Sequence, residues 1–246
     1  IDRQRELADA SFSAVKSIKT IVDRASEIAT LADDLKSPEE LDVYATEVNE
    51  LVRQAAQILN VQNRGDYLFG GTELDASPFA LTEDADGKVT GVTYRGNTEV
   101  AESEITAGVT VAVQSVGANT TGSGPRGLVQ DSRTGADLFG HLLALRDQLA
   151  AGDTAGIAAT SRTALEADAD TVIYHVGTNG AVQARLDTGQ SILRQRSQNL
   201  ESLVSKEADA DLAQTLVRLN EVQTAYQAAL QTGGTILNRS LLDYLR

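Results

Sequence analysis

Three short patterns in this 246-residue chain carry letters that could do chemistry. Gly122-Ser123-Gly124-Pro125-Arg126-Gly127 has the glycine spacing of a dinucleotide-binding turn. Such a turn presents backbone N–H groups to a pyrophosphate, so it needs a strand before it and a helix opening straight after. Here Pro125 intrudes and no helical pattern follows promptly. Asp84-Ala85-Asp86-Gly87 has part of a calcium loop, but the first and twelfth positions fall on Thr82 and Thr93. The bidentate carboxylate is missing, and a turn is the reading that remains. His141 and His175 are the only histidines, and neither has a second His or a tight carboxylate cluster at ligand spacing. No Ser has the setting of a nucleophile elbow. Asp and Glu are scattered over helix faces, as solvated residues are. Asn119-Thr120-Thr121 and Asn238-Arg239-Ser240 are literal glycosylation sequons, common enough by chance to mean little. No catalytic residue, cofactor or metal site is expected.

Composition narrows the field further. With 21 basic and 35 acidic residues the net charge is −14, the pI is near 4.5, and no basic block appears. Nucleic acid is excluded as a partner on that ground, because the phosphate backbone demands clustered Lys and Arg. The acidity reads as solubility on long exposed helices. Without Cys the chain has no disulfide, thiolate or Cys-ligated zinc chemistry. No apolar run approaches the roughly 18 residues that span a bilayer, and no cleavable signal peptide is visible. Ile1 already lies inside a helical pattern, which suggests a trimmed N-terminus.

The elements follow from periodicity. Leu7, Ala14, Ile21, Ile28 and Leu35 recur every seven residues, with Ser11, Ile18, Ala25 and Ala32 four behind, which predicts a helix over 1–36. Ser37-Pro38-Glu39-Glu40 is a helix start with a capping box, and the second helix is expected to run to about Arg64, antiparallel to the first. From Gly65 to about Gly135 the helical period vanishes. Asp86-Gly87 signals a hairpin, and Ile105, Val109, Val111 and Val113 alternate as in one half-buried strand. Residues 118–127 read as a loose loop. Helical pattern resumes at Ala136 with Leu138, Phe139, Leu142, Leu145 and Leu149, and Gly152-Asp153 breaks it. The next helix is expected over 154–204, continuous through Gly177-Thr178-Asn179-Gly180, with a joint at Ser205–Asp209.

The last forty residues have the a/d rhythm of a coiled coil. Leu212, Leu219, Tyr226, Gly233 and Ser240 form one row; Leu216, Gln223, Leu230, Leu237 and Tyr244 form the other. Apolar residues, Leu241 among them, continue almost to Arg246. Such a stripe calls for a partner helix, and burial in an assembly is the economical account. The expected seam is Leu212, Leu216, Leu219, Tyr226, Leu230, Leu237, Leu241 and Tyr244. The architecture expected is mainly α with a β-rich insertion: an elongated antiparallel helical bundle or coiled-coil rod carrying a small β domain at one end. Residues 1–64 and 136–204 make the rod, 65–135 the insertion, and 205–246 the terminal coiled-coil segment.

Asn63-Arg64-Gly65-Asp66-Tyr67-Leu68-Phe69-Gly70-Gly71-Thr72, followed by Ser77-Pro78-Phe79, resembles the signature of the bacterial flagellar hook–filament junction family, flagellin-like hook-associated proteins. Tyr94-Arg95-Gly96 is similar to the family's Tyr-x-Gly turn, and Gly135-Ala136-Asp137-Leu138-Phe139 to its return helix. Glu207–Ala213, Gln223–Leu230 and Ser240–Leu245 resemble the carboxyl end of the flagellin superfamily. One stretch departs: Tyr174–Gly180 is polar and glycine-rich where the family has a plainer helix. The resemblance covers nearly the whole chain in order. It implies the fold just described, no enzymatic activity and no cofactor. It also implies an N-terminal segment, missing from this chain, that pairs with 207–246. It implies export without a cleaved signal peptide through the flagellar type III apparatus, an export chaperone, and an extracellular place in the flagellum. There the partners would be like subunits in a ring, a neighbouring hook-associated protein and flagellin, with no membrane insertion. A filament flagellin is the first alternative, and the Tyr67–Thr72 segment disfavours it. A carbohydrate-binding flagellin homologue is the second. It would need a groove of exposed aromatics, and residues 66–135 offer only Tyr67, Phe69, Phe79 and Tyr94. An enzyme is a distant third.

Overall fold

The buried residues Leu7, Ala14, Ile21 and Ile28, with Ser11, Ile18 and Ala25 four behind, place one apolar face on α1 (Asp2–Leu31). The computed structural model describes residues 1–106 and 108–243. The helix stops short of the expected residue 36. Asp33 accepts from the Leu35 backbone N–H at 3.1 Å, a local bond that competes with helix, and Leu35 stands 91% exposed outside the stripe.

The second helix, α2 (Pro38–Leu59), starts where expected. Ser37 Oγ accepts from Glu40 N at 3.2 Å, and the Glu40 carboxylate accepts from Ser37 N at 2.9 Å. It ends at Leu59 rather than near Arg64, and Asn60 supplies the reason. Its Nδ2 donates to Phe79 O at 2.7 Å while its Oδ1 accepts from Phe79 N at 2.9 Å. Arg24 of α1 reaches Glu47 of α2 at 2.6 and 2.9 Å, as antiparallel neighbours would.

Among the described residues four small open sheets follow. β1 (Gln62–Asn63) and β2 (Asp66–Tyr67) flank a two-residue turn with Arg64 at φ 54° and Gly65 at φ 98°. β3 (Phe79–Glu83) and β4 (Val89–Tyr94) form the hairpin anticipated at Asp86-Gly87. The single strand expected through Ile105 and Val113 is instead a second hairpin, β5 (Glu102–Thr106) and β6 (Val109–Ala112). Gly108 at φ 76° supports its turn. The loose loop at 118–127 is also corrected. β7 (Val116–Asn119) and β8 (Gly127–Asp131) pair in parallel, and β9 (Ala136–Asp137) adds antiparallel to β8. Ala136 therefore belongs to a strand, and α3 (Leu138–Ala151) begins after it, with Asp137 accepting from Gly140 N.

Gly152 at φ 67° ends α3. Asp153 caps the short α4 (Thr154–Gly156), a π-helical turn (Ile157–Ser161) follows, and α5 (Arg162–Asp243) runs for 82 residues. It passes through Gly177–Gly180 unbroken, as the stripe implied. It also passes unbroken through Ser205–Asp209, where a joint was expected.

Residues Ile1–Gln190 form one compact unit and Ser191–Arg246 a second. In the first, α1 lies antiparallel to α5: Gln190 meets Asp2, Asp187 meets Arg5, Gln183 meets Asp9, and Arg162 meets Ala29 O. Leu138, Leu142, Leu145 and Leu149 of α3 are buried with Val48, Val52 and Leu59 of α2 in the same core.

Candidate assembly interface

The signature residues come together as a joint between α2 and the sheets. Leu68 and Phe69 are fully buried, and Phe79 stacks at an angle on Tyr94 (5.1 Å) and on Phe139 of α3 (5.4 Å). The Tyr94 hydroxyl lies 3.0 Å from both Phe69 O and Asn97 O, and donates to one of them at a time. Burial pushes that phenol above its ordinary range. Asn97 ties the joint further: its N donates to Gly70 O at 3.0 Å, its Oδ1 accepts from Thr72 N at 3.0 Å, and its Nδ2 donates to Thr72 Oγ1 at 2.8 Å.

Glycine is required where these chains cross. A Cβ on Gly117 would sit 2.7 Å from Phe79 Cζ, 2.8 Å from Tyr94 Cε2 and 2.9 Å from Phe69 O. Gly70, Gly71 and Gly96 are similarly crowded by backbone, and Pro78 lies against Gly70. Asn63 pairs with Asp66 across the β1–β2 turn, Tyr67 N donates to Leu74 O, and Asp66 and Arg64 reach Arg3 and Glu6 of α1. The signature residues thus attach the β region to α1, α2 and α3.

The letters that suggested chemistry all have local structural partners. Asp84 Oδ1 accepts from Asp86 N (3.0 Å) and Lys88 N (2.8 Å), and Gly87 takes φ 80°, so that tetrapeptide is a turn. Gly122–Gly127 leads into β8 and not into a helix. The Asn119 amide is fully buried and donates to Ser123 O (2.7 Å) and Pro125 O (2.6 Å), which leaves it no accessible nitrogen for a glycan. Asn238 has no described side chain.

One titratable pair escaped sequence reasoning. His141 Nδ1 lies 2.8 Å from Asp168 Oδ2, and Asp168 Oδ1 accepts from Asp137 N at 2.9 Å. Asp168 holds His141 above its ordinary value, and burial pushes the Asp168 carboxyl up against that pull. The pair joins the first turn of α3 to α5. Only the spacing 168–175 on one helix face hinted that both helical partners point at the β region.

Between 191 and 237 the helix leaves its described large apolar side chains exposed. Leu212, Leu216, Leu219, Tyr226, Leu230 and Leu237 are 52–66% exposed. Tyr244 and the side chain of Leu241 lie outside the described residues. Upstream, Leu193, Leu200, Leu203 and Val204 are exposed too. At about 100° per residue, the upstream and downstream stripes are rotated from each other by roughly a third of a turn. This rotation underlies the phase change at 205–211, which resembles a joint in sequence and occurs on continuous helix. Val222 to Asn238 contains no charged residue.

No family model matches the chain, and no curated protein matches it. The fold itself is shared with solved flagellar hook-associated proteins. The crystal structure of flagellar hook associated protein-3 from Legionella pneumophila superposes with a TM-score of 0.67 at 12% identity, over 85% of this chain and 94% of that one. FlgL from Bacillus cereus gives 0.62 at 16% identity, over 81% and 88%. The flagellar junction protein FlgL from Legionella pneumophila gives 0.60 at 13%, over 76% and 93%. The expected class, mainly α with a β-rich insertion, is the one observed.

Proposed function

We propose that this chain is a structural subunit of the bacterial flagellum at the junction between hook and filament. The observation that carries the reading is the exposed, apolar and largely uncharged run of α5, in a chain that has the fold of solved junction proteins. Apolar rows of this length on a water-facing helix are the mark of an interaction surface. Leu212, Leu216, Leu219, Tyr226, Leu230, Leu237, Leu241 and Tyr244 form the packing seam of the segment 205–246. Residues 1–64 and 136–204 serve as the helical rod that meets neighbouring subunits, and 65–135 as an outward β domain held by the Asn63–Thr72, Pro78-Phe79 and Tyr94–Gly96 joint. Like subunits in a ring, an adjacent hook-associated protein and flagellin are the partners, with an export chaperone before assembly. The role is mechanical, with no catalytic step, and the location is the extracellular flagellum, reached without a cleaved signal peptide. Among the described residues no helix is long and apolar enough to cross a membrane.

Deletion of the gene tests this. Hooks should form while flagellin escapes into the medium, and the full-length gene should restore filaments. Normal filaments in the deletion strain would overturn the reading, and growth of filaments from the purified protein alone would favour a flagellin instead.

A further inference from the structure

Within the first unit, α5 is tied to its neighbours in two stretches. Before residue 176, Asp168 meets His141 and Asp137 N, Thr171 Oγ1 lies 3.1 Å from Thr134 Oγ1, and His175 Nε2 lies 3.1 Å from Gly127 O. After residue 182, Gln183 donates to Asp9 at 3.0 Å, Arg185 to Thr110 O at 3.2 Å and Gln190 to Asp2 at 3.1 Å, and Asp187 pairs with Arg5. Between the two stretches the ties stop. Among the described residues, no side chain from 176 to 182 makes a hydrogen bond or ion pair with another element, and Thr178 Oγ1 donates to Tyr174 O one turn back. Val176 and Val182 still pack against the core, partly buried.

The same turn is a poor helix former. Gly177 and Gly180 lie inside α5 with no heavy atom within 4 Å of where a Cβ would stand, so neither makes room for a neighbour. Each weakens the helix locally by about fivefold relative to Ala. Asn179, 5% exposed, has its Oδ1 buried without a protein partner, and so has Ser11 Oγ on α1, at 1% exposure. Asn179 stands one turn before Gln183, and Ser11 two residues past the Asp9 that Gln183 meets. On antiparallel helices this puts the two orphaned groups at nearly one level. A buried polar atom without a partner disfavours the closed state, and water satisfies it on opening.

We propose that residues 176–182 are a built-in flexing point of the first unit: α5 opens there locally while the anchored stretches on either side stay folded. Missing ties, two helix-weakening glycines and two orphaned polar atoms coincide on this turn, and one opening event relieves all of them. It lets α5 bend between the stretch held by α3 and the β7–β9 sheet and the stretch held by the start of α1 and the β5–β6 hairpin. On the function proposed above, the rod would yield here as neighbouring subunits shift, a use that rests on that reading. The opening itself does not, and is measured on the purified chain.

Amide hydrogen exchange of the full chain, corrected for intrinsic rates, tests the flexing point. The amides of 179–183 should exchange about tenfold faster than those of 170–174 and 186–189. Gly177→Ala with Gly180→Ala should slow them by about fivefold per glycine, with the flanks unchanged. Asn179→Leu removes the orphaned acceptor and should slow the same amides. Even protection from 170 to 189 in the wild type would overturn the proposal, as would faster exchange in Asn179→Leu, which would mean that the amide holds the turn shut. Should that variant not fold, the wild-type profile decides alone.

Discussion

Residues 1–190 and 191–246 use the same seven-residue rhythm and treat it in opposite ways. In the first unit, the rows on α1 (Leu7, Ala14, Ile21, Ile28) are buried in a core shared with α2 and α3. In the second, the rows Leu212–Leu237 face outward on α5. Charge divides along the same line. Six of the 21 basic and six of the 35 acidic residues lie in 191–246, so the whole net charge of −14 belongs to 1–190. The acidic unit has the closed core, and the net-neutral segment carries the exposed apolar rows. On the function proposed above, the exposed rows of 191–246 are the surface that assembly covers.

The sharpest way to break that comparison is to cut the same kind of side chain in each unit. Leu142→Ala removes a fully buried residue of the core and should destabilise the first unit by about 2–5 kcal/mol, read by denaturant unfolding. Leu216→Asp with Leu230→Asp should leave that transition where it is and abolish incorporation into flagella. A double mutant that supports normal motility would show that the two units do not differ as argued.

A smaller effect sharpens the account of the joint. Gly117→Ala puts a methyl group against Phe79, Tyr94 and the Phe69 carbonyl and should destabilise the first unit by about 1–3 kcal/mol. Gly124→Ala, in the loop that follows the same strand and with no heavy atom near its Cβ, is the comparison for φ > 0 strain alone. The smallest effect concerns a purely local device. Ser37→Ala opens the capping box of α2 and should lower stability by about 1 kcal/mol, with no change in the exposed unit.

What the sequence made legible follows this gradient from local to distant. The Ser37–Glu40 cap, the Asp86-Gly87 turn and the helical rows are set by residues within four positions of each other, and each stands where its spacing implies. The end of α2 was not legible, because Asn60 acts on Phe79, 19 residues away. The β7–β8 pair was hidden for a different reason. Parallel strands ordinarily need a connection of about a dozen residues, and this one is closed by the side chains of Asn119 and Arg133. His141 and Asp168, which looked like isolated residues, meet only because α3 folds back on α5. The signature residues were recognisable as a motif, but their role as a joint depends on contacts with Asn97, Gly117 and Phe139 that no spacing announces.

The absence of cysteine offers a direct test of the exposed unit. Leu230→Cys gives the protein a single thiol on the α5 stripe, and maleimide labelling can be timed on the purified chain and on intact flagella. Rapid labelling in the purified chain and protection in flagella is the expected result. Equal reactivity in both states would mean that the stripe is never covered, and the account of this chain as a flagellar building block would be contradicted.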